Sequence, residues 1–86
     1  MTQQQASFQA TAEPDAGMLI RILNLFALRD HVPCRVRSRT LGGALHVEVD
    51  VPALSDHEAE QIARAMRGLV GVSQVRLEQM CWASAA

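Results

Sequence analysis

The stretch "RVRSRTLGGALHVEVDV", Arg35 to Val51, reads as two alternating runs joined by a glycine pair. With Cys34 just ahead of it, the first run sets Cys34, Val36, Ser38 and Thr40 on one side and Arg35, Arg37 and Arg39 on the other. In the second, Leu45, Val47, Val49 and Val51 alternate with His46, Glu48 and Asp50. Period two is the signature of a strand with one buried face. Gly42-Gly43 is a favoured two-residue hairpin loop because glycine tolerates positive φ. A loop of that length fixes the register: Leu41 pairs with Ala44, so Arg39 faces His46, Arg37 faces Glu48 and Arg35 faces Asp50. Two of the three arginines are then expected to meet an acid across the strands. The same alternation points Cys34 inward as a small apolar filler.

Upstream, Phe8, Ala10 and Ala12 alternate with Gln9, Thr11 and Glu13, a further half-buried strand that Pro14 ends. Asp15 is placed to cap the next helix, in which Leu19, Ile22, Leu23 and Phe26 share one face at i, i+3, i+4 and i+7. Ile20, Leu25 and Leu28 fall off that stripe, so this helix is more apolar than one buried face requires. The excess suits either a subunit contact or a thicker core. Downstream, Ser55-Asp56-His57-Glu58 has the form of a capping box. It opens a second helix that buries Ala59, Ile62, Ala63, Met66 and Leu69. A last strand carries Val75 and Leu77 inward. The order strand, helix, strand, strand, helix, strand predicts an α+β fold of the ferredoxin-like βαββαβ plan, a four-stranded antiparallel sheet with two helices on one face. The domain is expected over residues 7–80, between a disordered segment 1–6 and a tail 81–86.

Eighty-six residues with a net charge of -1 suit one domain with little stability to spare and no bulk attraction for nucleic acid or anionic membranes. Aromatic residues make up 3% of the chain and tyrosine is absent, which argues against base stacking on the open sheet face. Only Cys34 and Cys81 are present, far apart, giving neither a disulfide framework nor a C-x-x-C metal motif. That usage, the lack of a leader-like N-terminus and the absence of any apolar run near ~20 residues predict a soluble, unprocessed cytoplasmic chain. His31, His46 and His57 have no nucleophile or acid at interpretable spacing, and "EPDAGM" has one glycine and no adjacent arginine with which to cradle a phosphate. No catalytic residue and no metal ligand is expected.

The run "GMLIRILNLFALRDHVPC", Gly17 to Cys34, resembles the first helix and following strand of ACT domains, with Gly17, Leu19, Arg21, Leu25 and Phe26 matching in order. With "ALHVEVDV" at 44–51 and "GLVGVSQVRLEQ" at 68–79, the chain is similar to the small regulatory subunits of acetolactate synthase, the short isozyme II type in particular. The resemblance implies a subunit without its own catalysis that activates a large catalytic subunit in branched-chain amino-acid synthesis. Thiamine diphosphate, magnesium and FAD would belong to that partner, with no cofactor in this chain. It implies a homodimer formed through the first helix, assigned to Ile20, Asn24, Leu25 and Leu28. It also implies an amino-acid effector site at the turn before that helix and the next strand, assigned to Asp15, Ala16, Gly17, Met18 and Val32. Where valine-sensitive relatives place asparagines, Pro14 and Val32 stand in this sequence, so effector binding is expected to be weak.

Overall fold

Gly42 and Gly43 take φ of 62° and 78°, and the hairpin they close has the expected register, Leu41 opposite Ala44 through Arg35 opposite Asp50. The computed structural model describes the backbone of residues 2–83 and the side chains of residues 5–80. Its elements are β1 (Thr2–Ala12), α1 (Met18–Ala27), β2 (Arg35–Leu41), β3 (Ala44–Pro52), α2 (Asp56–Arg67) and β4 (Val72–Ala83). The strands form one antiparallel sheet in the order β2-β3-β1-β4. This is the βαββαβ plan read from the sequence.

The core lies between one sheet face and the helices. Val47, Val49 and Val51 of β3 and Ala6, Phe8, Ala10 and Ala12 of β1 meet Met18, Ile22 and Phe26 of α1 and Ala59, Ile62, Ala63 and Met66 of α2. The small alanines leave room for the two rings at its centre: Phe8 and Phe26 pack edge to face, centroids 5.1 Å apart at 75°, a favoured aromatic arrangement. α2 starts as the capping box predicts, with Ser55 Oγ accepting from the Glu58 amide at 3.2 Å. Its acidic first turn and basic last turn complement the helix dipole.

Five expectations are corrected. The backbone of residues 2–6, assigned to a disordered segment, continues β1. That of 81–83, assigned to the tail, continues β4, since these strands pair with each other from Thr2 opposite Ala83 onward. A ladder is held by main-chain groups, which the polar Gln run supplies as well as an apolar one; Met1 and residues 84–86 lie outside the described residues. The buried stripe of α1 is Met18, Ile22 and Phe26, with Leu19 and Leu23 only half-buried. Cys34 is exposed. It precedes β2, an edge strand in which every residue is exposed, so the inward side of that strand has nothing above it to fill. Finally, Arg35 and Arg37 lie opposite Asp50 and Glu48, yet neither pair is an ion pair among the described residues.

Candidate effector turn and helix interface

Between β1 and α1 the chain reverses in a tight turn. The Asp15 amide donates to the Glu13 carbonyl at 2.8 Å and the Met18 amide to the Asp15 carbonyl at 3.0 Å. Asp15 therefore does not cap α1 through its side chain. Its carboxylate is drawn to Arg21, one turn into the helix, at 2.5 Å, and the N-cap is Gly17, which offers no side-chain acceptor. The pair is exposed on both sides and contributes little to stability. Gly17 sits at φ -86°, and a Cβ built there would meet only Asp15 Oδ2 at 4.0 Å. Neither backbone geometry nor space demands glycine. Among the described residues the amides of Ala16, Gly17, Leu19 and Ile20 make no hydrogen bond. Such unpaired first-turn donors at the positive end of a helix suit a carboxylate.

The five assigned effector residues separate into groups. Asp15 and Ala16 are exposed and Gly17 is half-buried. Met18 is a core residue, 1% exposed, and its Cε would come within 2.7 Å of a Cβ at Gly71, whose φ of 97° only glycine adopts readily. Its side chain thus packs beneath the entry to β4 and is unavailable to a ligand. Val32 is 80% exposed, but it lies beyond the other end of α1. Ten helical residues span about 15 Å. Within one chain, the turn and Val32 are not brought together.

The assigned interface residues behave differently. Ile20 and Leu28 are 71% and 73% exposed and Asn24 between them is also exposed; at i, i+4 and i+8 the three form one outward row. Leu25 is half-buried and packs on the core instead. Val32 beyond the helix end and Val36 on the edge strand β2 are exposed as well, whereas Leu41 alternates with the arginines onto the opposite sheet face.

Sequence reasoning missed one contact here. His31 Nε2 lies 2.8 Å from Glu58 Oε2, tying the α1–β2 connection to the first turn of α2. Hydrogen bonds from His31 and then Ser55 hold the Glu58 carboxyl below its ordinary value of 4.5. A lowered folded-state pKa contributes stability that is complete above the ordinary value and is lost as pH falls through the folded one. Glu58→Gln is therefore expected to flatten the acid limb of the stability profile below about pH 4.5. The check is the urea midpoint at a series of pH values, and an acid limb parallel to that of the unaltered chain would refute it. His46 and His57 have no hydrogen-bond or ion-pair partner among the described residues. No group of three His, Cys, Asp or Glu residues among them is placed to hold a metal. Among the described residues no helix is long and apolar enough to cross a membrane.

Comparisons with known proteins agree with this fold. A family model described as an ACT-like domain matches residues 1–84. Among solved structures, the ACT domain from GTP pyrophosphokinase of Chlorobium tepidum is similar with a TM-score of 0.75 at 14% identity, over 88% of this chain and 86% of that one. The C-terminal domain of the MgtC protein from Mycobacterium tuberculosis gives 0.74 at 16% identity, over 96% and 94%. An ACT domain protein from Streptococcus pneumoniae gives 0.69 at 11% identity, over 88% and 89%. At these identities the likeness is one of fold. No curated protein sequence matches significantly.

Proposed function

This chain belongs to the ACT-like domain family, and on that premise we propose that it is a non-catalytic regulatory subunit. In this reading it forms a homodimer through the outer side of α1 and the β2 edge, and activates the large subunit of an acetolactate synthase by contact. The observation that carries the reading is the row Ile20, Asn24, Leu28, with Val32 exposed beyond its end. Exposed apolar side chains in a continuous patch mark an interaction surface, and a fully exposed edge strand offers a ready ladder for a second copy. The choice of partner rests on the resemblance of Gly17–Cys34, 44–51 and 68–79 to the small subunits. Catalysis and its cofactors, thiamine diphosphate, magnesium and FAD, belong in this reading to the large subunit. Adding this protein to a purified large subunit should raise its acetolactate-forming activity saturably. A large subunit that neither binds the chain nor changes in activity would overturn the partner assignment and leave a free-standing ACT module serving another enzyme.

The effector site follows from the same reading. A dimer with two-fold symmetry can set the turn of one chain beside the Val32 end of the other, bringing unpaired amides to a carboxylate. What it lacks is side-chain polarity: neither Pro14 nor Val32 can hydrogen-bond the remaining charge of a zwitterion, and an unpaired charge near apolar surface is costly. Calorimetry with valine, leucine or isoleucine is expected to give dissociation constants no tighter than about 1 mM. Pro14→Asn combined with Val32→Asn should tighten valine. Binding near 10 μM by the unaltered protein, roughly 100-fold tighter than expected, would refute this account.

A further inference from the structure

The sheet face away from the helices carries three successive rows that are polar from edge to edge, with Leu41 and Met80 beyond them. From β2 to β4 its rows run Arg35, Asp50, Ser7, Glu78, then Arg37, Glu48, Gln9, Arg76, then Arg39, His46, Thr11, Gln74. Four of the chain's arginines therefore stand here with three acids, but the acids are not equally available. Asp50 is buried at 4% exposure, and Glu78 is taken up by Arg76 at 3.7 Å and by the Gln9 amide at 3.3 Å. Arg35, Arg37 and Arg39 are exposed and make no ion pair or hydrogen bond among the described residues. Of the two acids that oppose them across the strands, Asp50 is buried and Glu48 half-buried. A chain of net charge -1 thus presents a positive face, concave over a trough of about 720 Å³ lined by Arg37, Arg39, His46, Glu48, Gln9 and Arg76.

We propose that this trough docks an acidic segment of a partner polypeptide. The chain's basic residues are all arginine, and a guanidinium fork grips a carboxylate with two parallel hydrogen bonds. The edge strands are about 14 Å apart, so a single small anion would touch one side and stay largely wet, whereas tight small-molecule sites enclose their ligand. Nucleic acid is disfavoured because Glu48, set among the arginines, would repel a continuous phosphate backbone. A peptide can place carboxylates on the arginines and a donor over Glu48, while Gln9, Thr11 and Gln74 offer groups that pair with its amides.

The inference requires neither the dimer nor the effector site, and its test uses the full chain alone. The probe is a short fluorescein-labelled peptide of alternating glutamate and serine, followed by anisotropy at low and physiological salt. Oligothymidylate of matching length and inorganic phosphate serve as competitors. Saturable binding is expected, weakened at least about tenfold by Arg37→Glu with Arg39→Glu, and less than about twofold by Arg64→Glu with Arg67→Glu, which makes the same charge change on α2. Arg37→Gln with Arg39→Gln, which removes charge without repulsion, should fall between. All these side chains are exposed, and circular dichroism verifies the fold of each variant. No saturable binding, equal weakening by both charge reversals, tighter binding of the oligonucleotide, or displacement by phosphate at matched ionic strength would each overturn the proposal.

Discussion

Phe26→Ala is expected to remove a large share of the domain's stability. The ring is completely buried and packs edge to face on Phe8, so its loss combines the transfer of a large apolar group with a cavity beneath α1. Phe→Ala changes in cores cost about 3–5 kcal/mol, and a chain of this length has only roughly 4–13 kcal/mol to lose. Small neighbours sharpen the effect: Ala6, Ala10, Ala59 and Ala63 cannot extend into the void. Urea unfolding at fixed protein concentration measures it, since self-association would add its own stabilisation. A loss below about 1 kcal/mol would mean that the ring is not packed as described.

Ile20→Asp combined with Leu28→Asp is expected to weaken self-association at least about 100-fold, or roughly 2.7 kcal/mol, without unfolding the monomer. Each of these side chains is worth roughly 1.5–3 kcal/mol when fully buried, and in a two-fold interface each occurs twice. Both are largely exposed within one chain, so their replacement leaves the core and the circular dichroism spectrum unchanged. Sedimentation should find the unaltered chain dimeric at micromolar concentration and the variant monomeric. A monomeric unaltered chain would remove the interface altogether.

The parts of this fold that were readable in advance are those decided by local chemistry. Two glycines at positive φ set the hairpin register to the residue, and Ser55 with Glu58 marked the start of α2 because each group needed lies within one turn. Asp15 had the composition of a cap, but an arginine six residues on outcompeted the helix amides for its carboxylate, a contest that no local rule records. Cys34 was misjudged for a different reason. Alternation reports two faces, whereas burial depends on what lies above them, and only the sheet order reveals that β2 is an uncovered edge. On α1 the exposure of Ile20 and Leu28 was legible because they fell off the buried stripe, whereas Leu25, read as off it too, packs on the core. Met18 was misassigned because that stripe begins one residue earlier than the spacing of the leucines suggested.

The separation of the Asp15–Gly17 turn from Val32 by the full length of α1 has a consequence for how the protein would respond in a cell. In the effector site proposed above, an amino acid is far shorter than that helix, so a single molecule would touch both ends only by joining two chains. Its occupancy would then depend on the abundance of the protein as well as on the metabolite: dilute chains would be blind to it, and the metabolite would itself drive assembly. The midpoint of the dose response would shift with expression level, making the sensor's set point a property of the population of chains and not of any one of them.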